Sequence, residues 1–397
     1  MDAVRGRIYL LKPTEAQASL FRQYAGVCRL IYNAALEQRS RWGKSHKLNA
    51  VTVSRELKDV RAAFKWVGDV SYTAQSQALR DLDKAFQNFF SGRASFPTPR
   101  RKGVNENFRF VGGEVSTRKI NRRWSEVKLP KIGWVRYRDT RPIKGKICNA
   151  TIRLTPLGWH ISFAVRMELP AGTPLDSVVG IDRGVEVPVM LDTGEAHYLP
   201  ETLAKIERRK RRAQKTMSRR KRGSKRYARA RKRVASISAK AARVRNHWQH
   251  KLTTSIANRF GVVVLENLKT KNMTKSAKGT AEEPGKNVAQ KSGLNRSILN
   301  VGWFGLETKL AYKLAERGGE LALVDPSYTS QTCPACGCIN SDNRKSQALF
   351  VCVDCGHEAN ADQNAAINIK RRWNTVSLDV EAQRRLADEA STVSTVT

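Results

Sequence analysis

Two Cys-x-x-Cys pairs, Cys333–Cys336 and Cys352–Cys355, stand fifteen residues apart. That spacing is a zinc-ribbon pattern and dictates a small, loop-rich module wherever it occurs. Gly337 and Gly356 follow the two pairs directly, as a tight knuckle requires. Four thiolates close a tetrahedral shell and leave no position for water or substrate. The motif therefore predicts one structural Zn²⁺ that braces the fold and does no chemistry. His357 is an alternative to one of the cysteines as ligand. A redox role for the pairs would call for a thioredoxin-like unit around them, and none is evident. Cys28, Cys148 and Cys338 remain as ordinary thiols, and the cysteine usage as a whole fits a reducing compartment.

The 397 residues are enough for roughly two to four domains. Lys and Arg number 73 against 35 Asp and Glu, a net charge of +38. A single-sign field of that size points to a polyanion, and nucleic acid is favoured over a membrane surface. No amphipathic anchor, lipidation signal or run of membrane-span length is evident. The opening MDAVRGRIYLL is too short and too charged for a signal peptide and reads as a first strand. A cytoplasmic protein, associated with the nucleoid when on DNA, is expected.

Residues 5–11 alternate like a strand, and helical spacing follows from Glu15 to about Arg41 and again from about Ala74 to Phe90. Glycines and prolines in SGRASFPTPRRKG end the second helix. The stretches NFRFV, WSEVKLP, GWVRYR, ICNATIRLT and WHISFAVRMEL then read as strands of a small antiparallel barrel or sandwich, interrupted early by the helical block. PAGTPLDS reads as a linker. A second architecture begins at Val178, where VVGIDRGVEVPVMLDTGE reads as a hairpin. Residues 201–259 read as helical and basic. Between Lys205 and Arg233 seventeen side chains are Lys or Arg and one, Glu207, is acidic. A weak apolar stripe there (Ala213, Met217, Tyr227, Ala230, Val234, Ile237) favours long helices with a phosphate-facing side over a solvated tail. Residues 269–297 read as a polar loop, either a lid or a plain connector. Residues 298–319 read as one helix closed by Gly318–Gly319, and the end of the chain beyond about Asn374 as disordered.

Three acids stand out in so basic a chain. Asp182 ends the apolar run VVGID, Glu266 ends VVVLE, and Asp362 opens a helix in DQNAAINIKR. A carboxylate at the end of a hydrophobic strand needs a partner or a metal. Three carboxylates holding two Mg²⁺ or Mn²⁺ ions is the two-metal arrangement for phosphodiester hydrolysis. Capping a helix or pairing with arginine is the plainer alternative for each acid taken singly.

GIDRG, VVVLENLK, the cysteine pairs and NADQNAAINI, in that order, resemble the RuvC-type nuclease of the TnpB family, transposon-encoded relatives of type V CRISPR effectors. YLLKPTEAQ, CRLIYNAALEQR, FPTPRRKG, VKLPKIGWVRYR and DPSYTSQTCPACG extend the resemblance over nearly the whole chain. The resemblance implies a multidomain α+β protein. A wedge-like β-barrel would comprise 1–13 and 100–172, with a helical recognition lobe inserted at 14–99. An RNase H-like RuvC α/β domain would comprise 176–327 and 358–372, with the four-cysteine zinc ribbon inserted at 328–357 and a tail at 373–397. Asp182, Glu266 and Asp362 match the family's catalytic acids. Asn360, where some relatives carry an extra acid, and Arg183, where many carry an apolar residue, depart from the pattern.

The resemblance further implies a monomer loaded with a transposon-derived guide RNA, acting on double-stranded DNA beside a short flanking motif and not on membranes. One active site would cut both strands in turn. Base pairing would carry sequence choice, which would account for the charge without a helix-turn-helix reader. Tyr72, Gln75 and Ser76 are candidates for reading the flanking motif, or plain helix surface. Arg208, Arg212, Arg219, Arg220 and Lys225 are candidates for phosphate contacts. Trp42, Trp66, Tyr72 and Trp124 are open to base stacking or to packing. Two alternatives stand beside the nuclease: a guided DNA-binding repressor without cleavage, and a small type V CRISPR effector.

Overall fold

The computed structural model describes residues 2–42, 48–168, 172–173, 175–280 and 282–375. The chain divides into two compact units, Met1–Leu169 and Pro170–Thr397.

The first unit opens with β1 (Asp2–Lys12) and four helices: α1 (Glu15–Trp42), α2 (Ala50–Ala63), α3 (Lys65–Gly68) and α4 (Tyr72–Phe90). Six strands follow: β2 (Asn107–Val111), β3 (Ser116–Lys119), β4 (Trp124–Leu129), β5 (Gly133–Arg138), β6 (Lys146–Thr155) and β7 (Gly158–Glu168). They form one sheet in the order β2-β6-β7-β1-β5-β4-β3. β1 joins its halves, pairing with β7 over residues 2–10 and with β5 at Leu11 and Lys12. Tyr9, Tyr137 and Phe163, from three different strands, converge with ring centroids 5.1–6.0 Å apart. Residues of both halves thus share one core. α1 contributes Phe21, Tyr24, Cys28 and Ile31 to it, the stripe expected of a period of 3.6.

β1 and the helix after it run slightly longer than the sequence pattern predicts. α2, α3 and β3 are additions: α2 is started by a capping box between Asn49 and Thr52.

The second unit holds β8 (Val178–Asp182), β9 (Val189–Leu191), β10 (Ala196–His197), the helical hairpin α5 (Glu201–Ser218) and α6 (Lys225–Arg259), and β11 (Val262–Glu266). Next come α7 (Thr270–Met273), α8 (Val288–Val301), α9 (Trp303–Ala315) and β12 (Glu320–Val324). β13 (Leu349–Val351), β14 (Glu358–Asn360) and a last helix, α10 (residues 361–375), complete it. The sheet order is β10-β9-β8-β11-β12, with β8, β11 and β12 parallel.

Alternation along the strands sorts the layers. Val179 and Ile181 of β8 and Val263 and Leu265 of β11 pack with Leu252 and Ile256 of α6 and Leu306 and Leu310 of α9. Val264 instead packs with Ile369 of α10. At Gly180 the backbone of α10 lies so near that a Cβ would come within 2.2 Å of the Ala366 carbonyl oxygen. α10 therefore covers the face opposite α6 and α9.

Two expectations need correction here. Residues 298–319 are not one helix: Gly302, at φ 71°, ends α8, and α9 begins anew. Gln249 of α6 donates to the carbonyls of Val301 and Gly302 at 2.9 and 3.0 Å, and so braces the break; Gly302 O also accepts the Gly305 amide of α9. The stretch 269–297 is not an open loop throughout. It contains α7, a bridge between Gly279 and Pro284, and the first turns of α8. The expected disordered tail lies outside the described residues from 376 onward, and 373–375 belong to α10. Among the described residues no helix is long and apolar enough to cross a membrane.

Candidate active site

β8 and β11 are parallel neighbours, with Ile181 opposite Leu265, so Asp182 and Glu266 leave the same edge of the sheet at the same level. Carboxyl ends of parallel strands are where open α/β sheets place their ligands. Alternation also fixes the side: Asp182 has the parity of Gly180, and Glu266 that of Val264. Both residues lie on the α10 face, where Asp362 occupies the second position of the helix.

Asp362 is not spent as a cap. Asn360 takes that duty, its Oδ1 accepting the Asp362 and Gln363 amides at 3.0 and 3.1 Å. The departure at position 360 thus has a local role. Asp362 instead accepts from Arg344 Nη2, 3.1 Å from its Oδ1. The buried Glu266 accepts the Thr329 hydroxyl at 2.5 Å.

The electrostatics bind the three together. Asp182 is pushed up to about 7 by burial, then by the nearby charges of Glu266 and Asp362, against the lowering pull of Arg344. Burial also raises Glu266 and Asp362, with Thr329 and Arg344 respectively opposing it. The carboxylates do not form a tight knot. Among the described residues, only the four cysteines bring three or more such ligand atoms all within 4.8 Å of one another.

The four cysteines are arranged as the spacing predicts. Cys333 and Cys355 Sγ are 3.6 Å apart, and Cys336 and Cys352 Sγ 3.5 Å. Four Zn–S bonds of about 2.3 Å imply an edge near ~3.8 Å, so the cluster is compatible with zinc. The two knuckles repeat each other: Gly337 N donates to Cys333 O and Gly356 N to Cys352 O, with both glycines at positive φ. His357 gives its carbonyl to the Cys352 amide while its ring lies 6.5 Å from that of Phe350, and it is not among the clustered ligands. The β13–β14 ladder runs from this cluster straight into α10.

Arg344, Thr329, Asn364 and Asn368 were not legible as site residues in the sequence. Asn364 and Asn368 donate to the Thr329 and Thr332 carbonyls at 2.7–3.1 Å, tying α10 to the turn that carries the Glu266 partner. Their only sequence signal is their place in NADQNAAINI, one helical turn apart.

A family model described as "Probable transposase" matches residues 160–277, and one described as "Cas12f1-like, TNB domain" matches 303–369. The chain is 35% identical to "Putative RNA-guided DNA endonuclease InsQ" of Escherichia coli (strain K12), over 91% of this chain and 90% of that protein. The chain belongs to the TnpB family. A second relative, "Putative RNA-guided DNA endonuclease" of Streptomyces pristinaespiralis, is 29% identical over 91% and 87% of the two chains. In fold, the chain resembles the protein of a Cas12f1–sgRNA–target DNA complex, at TM-score 0.55, 18% identity, and coverage of 90% and 83%.

A third model, described as "Helix-turn-helix domain", matches residues 1–47 of this TnpB chain. Residues 2–42 there form a strand and one continuous helix, so no helix-turn-helix lies within them. Of the nucleic-acid candidates, Tyr72 is 47% exposed, with the Arg61 guanidinium 5.8 Å from its ring centroid, and Ser76 is half-buried. Gln75 is wholly buried, donating to the Val67 and Val70 carbonyls at 2.7 and 3.3 Å, so it presents nothing to a partner. Trp42 and Trp66 are about half exposed, at 51% and 48%. Arg208, Arg212, Arg219, Arg220 and Lys225 are all exposed on the α5–α6 hairpin. A cleft between these two helices is lined by Arg220, Arg226, Arg229 and Arg233 over Ala213 and Ala230.

Proposed function

We propose that this chain is a transposon-encoded, RNA-guided DNA endonuclease whose RuvC-type centre consists of Asp182, Glu266 and Asp362. The names of full-length relatives support the activity. One observation supports the site: Asp182 and Glu266 leave the matched ends of two parallel strands, and Asp182, pushed up to about 7 first by burial, is raised further by the charges of Glu266 and Asp362. A basic protein concentrates negative charge in this way where a cation is to be held.

The residues fit hard divalent ions, Mg²⁺ or Mn²⁺. All three donors are carboxylates, and their repulsion is what a cation relieves. Two ions about 3.5–4 Å apart are the arrangement that such carboxylates hold for phosphodiester hydrolysis. When bound, the ions would supply Lewis acidity to the attacking water and the leaving oxygen. Asp182, Glu266 and Asp362 would hold them. Thr329 orients Glu266, and Arg344 stands beside Asp362, where it can pair with a phosphate oxygen. The cysteines, with one Zn²⁺, would brace the segment that carries Arg344.

The wedge (1–13 and 100–172) would lie in the first unit up to its end at Leu169, together with the recognition lobe (14–99). The second would supply the RuvC domain (176–327 and 358–372) with its insertion at 328–357. The protein would act as a monomer on guide RNA and double-stranded DNA, with the arginines of the α5–α6 hairpin on phosphates. Guide pairing would choose the sequence, and the protein would read hybrid shape and a flanking motif near Tyr72 and Ser76.

Sequencing the RNA that co-purifies with the protein, then presenting matching DNA with Mg²⁺, tests the whole reading. A defined RNA species and cutting abolished by Asp182→Ala are expected. Tight retention without products in any divalent metal would favour a guided repressor. Cutting by Glu266→Gln at the wild-type rate would refute the site.

A further inference from the structure

Arg183 directly follows Asp182 yet lies on the other face of the sheet. Continuing the alternation of Val179 and Ile181, it turns toward α9 and is 5% exposed. Its Nη2 donates to the backbone carbonyl of Glu266, and its Nη1 to Glu307 Oε2 at 3.1 Å. Glu307 lies on α9, one turn beyond Trp303, whose Nε1 donates to the Gly184 carbonyl at 3.4 Å. The first turn and a half of α9 therefore grips the segment just after β8 at two points.

A guanidinium this buried needs compensation, because an unpaired buried charge is costly; Nη1 and Nη2 are partnered, and Nε is not. One arm ties the end of β8 to the end of β11, and the other is anchored by a carboxylate that is itself no part of the acid cluster. The break at Gly302 makes this possible. It resets the helical phase, and Gln249 and Arg245 of α6 hold it through the carbonyls of residues 299–302.

We propose that Arg183, anchored by Glu307, is a positioning residue that fixes the ends of β8 and β11 relative to each other and so sets the metal affinity of Asp182 and Glu266. Its hydrogen bond holds the backbone that carries Glu266, and its charge also pulls the Glu266 carboxyl down. Supporting groups of this kind change metal affinity by about tenfold to a hundredfold. The inference rests on the catalytic reading given above.

The test measures Mn²⁺ binding to the full-length protein–RNA complex by electron paramagnetic resonance, without DNA, alongside cleavage at graded Mg²⁺. Arg183→Met should weaken Mn²⁺ binding about tenfold or more. It should raise the Mg²⁺ needed for half-maximal cutting in step and leave the KM for DNA unchanged. Arg183→Lys, which keeps a cation with a shorter reach, should lie between. Glu307→Gln, which keeps an acceptor but loses the countercharge, should lie between wild type and Glu307→Ala, and Glu307→Ala should follow Arg183→Met in part. Wild-type Mn²⁺ affinity in Arg183→Met overturns the proposal. If Arg183→Met fails to fold, Glu307→Ala decides: weaker metal binding at an unchanged melting temperature supports the inference, and unchanged binding overturns it. Asp182→Asn separates the two failures. If it still binds Mn²⁺ and cuts, the site itself is misassigned; if it loses both while Arg183→Met behaves as wild type, only the positioning role falls.

Discussion

Arg344 Nη2 lies 3.1 Å from Asp362 Oδ1, although the two residues sit on opposite sides of the second cysteine pair. Arg344 follows the short turn at Ser341–Asn343, and the buried Asn343 amide holds that turn through the carbonyls of Gln331 and Cys338. The cysteine module thus delivers a cation to the acid cluster. Replacing Arg344 with Ala should lower cutting by roughly a hundredfold, the typical loss when one charge-stabilising donor is removed. Guide RNA content and DNA retention should not change. Single-turnover cleavage of a matched duplex checks this, and wild-type rates would show that the pair only stabilises the fold.

Removing the ion expected at the cysteines should act through the same contact. Cys352→Ser should abolish stoichiometric zinc, read by elemental analysis, and should also abolish cutting, because the ladder from Leu349 to Asn360 leads directly into α10. A zinc-free variant that cuts normally would show that the braces are independent of the site.

The raised value of Asp182 has a definite sign. Between about 3.8 and about 7 the unfolded chain has lost a proton that the native state keeps. The stabilising effect of that proton is complete below the lower value and is lost as pH rises through the upper one. Metal-free protein should therefore melt at lower temperature as pH rises from about 4 to about 7, and Asp182→Asn should flatten that trend. Mg²⁺ uptake should strengthen over the same window, because the ion competes with the proton. A melting curve equally steep in Asp182→Asn would assign the effect elsewhere.

The arginines lining the α5–α6 cleft make no ion pair among the described residues. Each should release about one counterion on binding a nucleic acid backbone. Changing Arg226 and Arg229 to Gln should flatten the slope of log affinity against log salt by about 1 per residue, without altering which guide-matched sequence is chosen. An unchanged slope would place the RNA or DNA elsewhere.

The outline of the candidate site was readable because its elements are local. VVGID and VVVLE announce buried strands by composition, and strict alternation decides which face their last residues take. The cysteine spacing likewise fixes its own geometry. What escaped the sequence depends on partners far along the chain. Nothing in the spacing marks Arg344 as a neighbour of Asp362, or shows that the segment before α4 folds back to bury Gln75. α2 was hidden by its β-branched start, Val51-Thr52-Val53, and only Asn49, as a cap, hints at it. Gly302 read as an ordinary residue inside a helical period because tertiary contacts from Gln249 stabilise the break. Arg183 read as a deviation, since its partner Glu307 lies 124 positions away.

Asp182 and Glu266 leave the matched ends of adjacent parallel strands, so their proximity is set by the ladder between those strands and not by the chain that connects them. Most of the α5–α6 excursion can then lengthen, shorten or be exchanged in evolution while the two acids stay in register. Such a protein can acquire new guide architectures without having to reinvent its blade.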